Sequence, residues 1–209
     1  SAMLQEALGE SMDKLGLSPE QSLKILAHLL AQAWQTPSGP DLSAISSNQK
    51  AKSLYDLIDE LSAKLNKTYS RRIVPQALAY AENRLRNFDA TAFMYLHGDP
   101  HPANALQTPD SRTGTVSSFV FVDPDGFIGD PAYDLGVVLR DWCPQLLAAS
   151  DPHGLAREYC RLLASESHID EGIIWEWSYI ERVASGLYLM SLGLEEEARP
   201  FLETAEHLT

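Results

Sequence analysis

Two stretches of this chain concentrate the side chains that could do chemistry: His97-Gly98-Asp99-Pro100-His101-Pro102-Ala103-Asn104, and Asp123-Pro124-Asp125-Gly126 running on to Gly129-Asp130-Pro131-Ala132-Tyr133-Asp134-Leu135-Gly136. Between residues 97 and 136 stand six acids (Asp99, Asp110, Asp123, Asp125, Asp130, Asp134) and one base, Arg112. Such a density of like charge is unfavourable unless hydrogen bonds or cations offset it. Asp and Asn oxygens suit Mg²⁺, which one or two protein ligands and substrate phosphates usually hold together. The set therefore suits phosphoryl transfer: one Asp to orient and deprotonate an attacking hydroxyl, and an Asn and a second Asp for the metal. Asp99 and Asn104 are five residues apart, and Asp123 follows an apolar run, Phe119-Val120-Phe121-Val122. An Asp-x4-Asn pair alone is a weak signal. Its company makes it a strong one.

The wording His-Gly-Asp-x-His-x-x-Asn, followed by Asp-Pro-x-Gly-x-x-Gly-Asp-Pro-Ala-Tyr-Asp-Leu, resembles the aminoglycoside phosphotransferase family, and within it the streptomycin 6-kinase and hydroxyurea phosphotransferase branch. The resemblance is tight over about residues 96–140. It implies a protein-kinase-like fold, ATP as phosphoryl donor, Mg²⁺, and a small-molecule acceptor with a hydroxyl group, such as a cationic aminoglycoside. Position by position, it implies Asp99 as catalytic base and Asn104 and Asp123 as Mg²⁺ ligands. His97 would support the catalytic loop, and Asp134 would be a buried acid accepting that loop's backbone N–H groups, with a depressed pKa. The substrate-binding residues are left unassigned.

The resemblance also implies a second, strand-rich lobe with a glycine-rich nucleotide cover and a phosphate-binding Lys. Neither pattern precedes His97. The expectation is thus a C-terminal catalytic lobe over residues 4–209, inactive or nearly so alone, with Ser1-Ala2-Met3 as an expression remnant. Two other classes fit parts of the pattern. One is a metal-dependent hydrolase built on His97, Asp99, His101 and Asp123, which leaves Asn104 and the Gly129–Asp134 stretch without a task. The other is a pseudokinase-like binding module. Each residue also has a plainer reading: Asp99 and Asn104 as turn formers, Asp123 as a strand terminator, His101 as a loop histidine.

The elements that must hold these loops are mostly helices. Ser18-Pro19-Glu20-Gln21 is a helix start with a capping box and a proline at the first helical position. Leu23, Leu26, Leu29 and Leu30 then recur at helical spacing until Pro37-Ser38-Gly39-Pro40. Further helices are expected over about 48–66 and 72–88, short strands over 92–96, 104–107 and 119–122, and a turn over 108–117. Helical periodicity resumes near Tyr133, with breaks at Pro144, Asp151-Pro152 and Gly172. Trp142, Trp175 and Trp177 fit the core of those helices better than an aromatic substrate wall. The fold class expected is mainly α with a few short strands.

Composition bounds the rest. The 209 residues are 44% hydrophobic and 22% charged, a globular balance and one domain's length. Cys143 and Cys160 make no disulfide framework, which suits a cytoplasmic protein. The net charge of −13 disfavours nucleic acid and anionic membranes, whose recognition needs Lys and Arg. Residues 170–209 hold nine acids against Arg182 and Arg199, so more than half of that charge lies in the last 40 residues. Those acids could favour a cationic substrate or simply coat solvated helix faces.

Overall fold

The computed structural model describes residues 7–35, 47–65, 71–109 and 118–209; the expected remnant at 1–3, the Pro37–Pro40 stop and most of the turn at 108–117 lie outside them. Among the described residues eight helices surround two minimal sheets: α1 (Pro19–Ala33), α2 (Ser47–Leu65), α3 (Ile73–Arg86), β1 (Met94–Leu96), β2 (Ala105–Gln107), β3 (Phe119–Phe121), β4 (Phe127–Gly129), α4 (Pro131–Arg140), α5 (Cys143–Ala148), α6 (Pro152–Ser167), α7 (Glu171–Ser191) and α8 (Glu195–His207). The mainly α class with a few short strands is what the structure has.

α1 begins as its sequence dictates: the Ser18 hydroxyl accepts from Gln21 N at 3.2 Å, and the Gln21 side chain accepts from Ser18 N at 3.0 Å. α2 and α3 start and stop within one or two residues of expectation. The break expected at Gly172 falls earlier. His168 takes a left-handed conformation after α6, Asp170 caps α7, and Gly172 sits in its first turn.

α7 is the central pillar. It packs against α2, α3, α4, α6 and α8, and its buried residues include Trp175, Trp177, Tyr179, Ile180 and Val183. A helix covered on nearly every side must be apolar all round, and its charged members need partners. Glu176 has them, Arg84 and Asn83 of α3. The α4–α7 crossing is close because Gly136 has no side chain: a methyl there would lie 2.5 Å from Trp177 Cβ and 2.8 Å from its carbonyl carbon.

The strands are three residues each, and their pairing matters more than their size. β1 pairs antiparallel with β4, Tyr95 opposite Ile128, and β2 with β3, Leu106 opposite Val120. The chain therefore crosses between the same two sheets twice, once through residues 97–104 and once through 122–126. The topology lays those two loops side by side. Gly9–Ser11 adds a further edge to β2, with Gly9 N donating to Gln107 O (2.9 Å) and Gln107 N to Glu10 O (3.0 Å). Met12, beside this edge, is buried.

Replacing Gly136 with Ala should destabilise the fold by about 1–3 kcal/mol, because the clash is with backbone and a tryptophan root that cannot swing away. Urea unfolding with an unchanged slope would measure it; wild-type stability would mean that the crossing is looser than described.

Candidate active site

The site is organised from below by one buried carboxylate. Asp134, wholly buried in the first turn of α4, accepts from His97 N at 3.0 Å and Trp34 Nε1 at 3.0 Å through Oδ2, and from Gly98 N at 2.9 Å through Oδ1. The loop is thus hung from α4, and the end of α1 is tied to the same atoms. The expected depression of the Asp134 pKa is not found. Complete burial raises it to about 6, outweighing the lowering by Trp34, Gly98 and His97.

His97 spends both ring nitrogens on backbone. Nδ1 accepts from Asp99 N (3.2 Å), so Nε2 carries the proton and donates to Val122 O (3.0 Å), which joins the first loop to the second. Burial lowers its pKa, favouring this neutral tautomer. Gly98 is left-handed at φ 89°, and a Cβ there would lie 2.7 Å from Asp125 Cβ, so only glycine fits. With its ring committed, His97 cannot ligate zinc. Among the described residues no three His, Cys, Asp or Glu side chains are grouped to hold a metal. The hydrolase alternative loses its centre.

Asn104 folds back on its own loop, Nδ2 donating to Asp99 O at 3.0 Å, which leaves the amide oxygen as its outward donor atom. Val122 N donates to Asn104 O at 2.9 Å, so Asp123 comes one residue after that junction. Asp123 is exposed, and its φ of 55° is a conformation that Asp tolerates better than most residues.

Asp99 is partly buried and held on both oxygens: Arg140 Nη2 lies 3.0 Å from Oδ1 and His101 Nε2 3.2 Å from Oδ2. Burial alone would raise its pKa, but the His101 hydrogen bond and the Arg140 charge bring it down to about 2. The same contact raises the His101 pKa. Arg140 also bonds Asp141 (2.9 Å) and lies 3.6 Å from Glu181 of α7, which accepts from Tyr133 OH at 2.6 Å. Sequence reasoning missed Trp34, Arg140 and Glu181. One signal was available: Tyr133 and Arg140 are seven residues apart, on one face of a helix following the acid-rich stretch.

A model of the aminoglycoside/hydroxyurea antibiotic resistance kinases matches residues 1–193. The chain belongs to this family. A search of curated protein sequences finds no match. Among solved structures, an aminoglycoside phosphotransferase from Streptomyces rimosus ATCC10970, in complex with ADP and streptomycin, superposes with a TM-score of 0.57 at 14% identity, over 84% of this chain and 67% of that one. A spectinomycin phosphotransferase with ADP and spectinomycin gives 0.52 at 14% identity, over 97% of this chain and 64% of that one. A microcompartment-associated aminopropanol kinase gives 0.52 at 15%, over 98% and 64%. The chain thus shares the kinase-like fold of these enzymes while spanning about two thirds of their length.

Two pH effects of opposite sign should follow. Asp99, depressed from 3.8 to about 2, contributes stability that is present above pH 4 and lost as pH falls toward 2. Asp134, raised from 3.8 to about 6, contributes stability that is full below pH 4 and lost as pH rises through 6. Asp134→Asn should flatten the fall between pH 4 and 6, whereas Asp134→Ala, which strands three donors, should cost about 1–3 kcal/mol or more at every pH. Denaturant titrations at four pH values would read both; an unchanged profile in the Asn variant would mean that Asp134 does not titrate in this range.

Proposed function

We propose that this kinase-family chain is the C-terminal catalytic lobe, residues 4–209, of an ATP-dependent phosphotransferase that phosphorylates a hydroxyl of an aminoglycoside such as streptomycin, or of a related small molecule. What supports this reading is the convergence of Asp99, Asn104 and the Asp123 loop on a scaffold shared with enzymes solved with ADP and such acceptors. Asp99 is the base. Asn104 and Asp123 hold Mg²⁺, and His97 and Asp134 support the loop.

The donor atoms fit that metal: an amide oxygen and an exposed carboxylate, fewer protein ligands among the described residues than a closed cage needs, as suits an ion completed by phosphate oxygens. Bound there, Mg²⁺ would supply charge neutralisation for the transferring phosphoryl group. The protein's own part is positioning. With a pKa near 2, Asp99 is ionised at any working pH and is a weak base, so it orients the hydroxyl oxygen toward the γ-phosphorus. As the new P–O bond forms and the bond to ADP breaks, the hydroxyl proton becomes acidic and passes to the carboxylate. Arg140 keeps Asp99 aimed, and its contacts to Asp141 and Glu181 keep Arg140 from following the substrate.

About a third of each solved enzyme lies outside the match, and a nucleotide-covering lobe accounts for that part in this reading. Joined to such a lobe, the chain should consume ATP in the presence of streptomycin, and Asp99→Asn should lower turnover by about 10²–10⁴-fold. Full turnover in that variant would remove Asp99 from the chemistry. Alone, the chain should bind ATP·Mg²⁺ no more tightly than about 1 mM; micromolar affinity by calorimetry would mean that these residues already complete the nucleotide site.

A further inference from the structure

Where α4, α5, α6 and α7 meet, the core leaves a cavity of about 10 Å³, walled by apolar and aromatic side chains, by Leu208, and by Ser178 and Arg182 of α7. Arg182 is the unusual member. It is 1% exposed, and its Nη2 donates to Leu139 O at 2.5 Å, while the buried Nε and Nη1 have no hydrogen-bond partner among the described residues. A guanidinium carries five N–H donors and cannot shed its charge. The charge is met in part, because Leu139 lies at the C-terminal end of α4, where the last carbonyls are partly negative. The idle donors are not. Buried N–H groups without an acceptor are unfavourable, and protein interiors answer them with protein groups or with ordered water. One water needs roughly 10–15 Å³ and two to four polar partners. This cavity has room for one. It offers Nε and Nη1 as donors and Ser178 as an acceptor, since that hydroxyl spends its proton on Trp175 O (2.9 Å) and keeps its lone pairs.

We propose that the cavity is a binding site for a single buried water, which accepts from Arg182 and donates to Ser178 Oγ, and that Arg182, completed by this water, is a positioning residue for Arg140. A halide ion, the other small ligand that a buried guanidinium attracts, is larger and does not fit without moving the walls. Arg182 grips the Leu139 carbonyl, and the next residue along α4 is Arg140, whose guanidinium holds Asp99 at 3.0 Å. One residue before Arg182, Glu181 faces that same guanidinium at 3.6 Å. Successive residues of α7 therefore hold the end of α4 twice, once by its backbone and once by its side chain. With the water in place, the Arg182 guanidinium is tethered on both sides and the Leu139 carbonyl stays put. The site serves whatever substrate the chain takes.

The test is a crystal structure of the 209-residue chain grown in sodium bromide, with anomalous data collected at the bromine edge. One oxygen-sized peak is expected at about 2.7–3.2 Å from Nε or Nη1, with no anomalous signal. An anomalous peak there would make the ligand a halide, and an empty cavity would leave the donors idle; either result overturns the water site. The positioning role is read in solution from the Arg140 Nε–H resonance of the same chain. Arg182→Met should shift that resonance and Arg182→Lys should shift it less, while Leu202→Ala, which removes core volume on α8, should leave it in place. An unmoved resonance in Arg182→Met, or an equal shift in Leu202→Ala, would reduce Arg182 to packing. Should Arg182→Met fail to fold, the unaltered chain still decides the water, and Arg182→Lys against Leu202→Ala decides the positioning.

Discussion

Everything above the helical core depends on the Asp134 carboxylate. It is the point at which α1, α4 and the His97–Asp99 turn meet, through three donors on two oxygens. Placing a carboxylate in a site with no solvent is costly, and the raised pKa near 6 records that cost. The return is geometric. Two successive backbone N–H groups aimed at one rigid acceptor fix the turn that carries Asp99, and the Trp34 indole closes the remaining side. Hydrophobic packing could not do this, because it is non-directional.

From that anchor a second set of polar contacts runs upward. Asp99 is held by Arg140, Arg140 by Asp141 and Glu181, and Glu181 by Tyr133, so the Asp99 side chain is tied back to the central helix α7. Arg140 is well suited to the role: its planar, permanently charged guanidinium can address several carboxylates at once without changing protonation. In the proposed function this arrangement makes Asp99 a poor base and a good positioning group. It also explains why α7 can carry Glu181 and Arg182 in a buried helix: Arg182 reaches the Leu139 carbonyl, as Glu181 reaches Arg140.

How much of this was legible in the sequence follows from how local each interaction is. The α1 capping box, the helix periodicities and the strands before His97 and Asp123 are set by neighbours a few residues away, and they were readable. β4 was not: three residues between Gly126 and Asp130 carry no alternation long enough to register, and they form a strand only because β1 lies alongside. Trp34 and Arg140 were invisible as site residues because their partners are 100 and 41 positions away. The pKa of Asp134 was misjudged in sign because counting donors says nothing about complete desolvation, which here outweighs them. The separation of Asp99 from Asn104 was readable, yet the bond that folds Asn104 back onto the Asp99 carbonyl belongs to the three-dimensional turn.

The acid-rich stretch that first drew attention is resolved by several devices rather than one. Asp134 is answered by N–H donors, Asp130 caps α4 through Ala132 N at 2.9 Å, and Asp99 is answered by two cationic side chains. Asp123 and Asp125 are different. Both are exposed, and neither has an ion-pair partner among the described residues. Among the described residues, charge is thus answered on the carboxylates that build the fold and left unanswered where the second loop meets solvent, one residue after the Val122–Asn104 bond. A water-facing acid costs little when empty, and in the proposed function it would add its attraction to that of Asn104 for a divalent cation and its phosphates. Among the described residues the electrostatics therefore separate along the same line as the topology: the acid of the first loop is answered internally, and the two acids of the second face solvent, which suits the Mg²⁺ role proposed for Asp123.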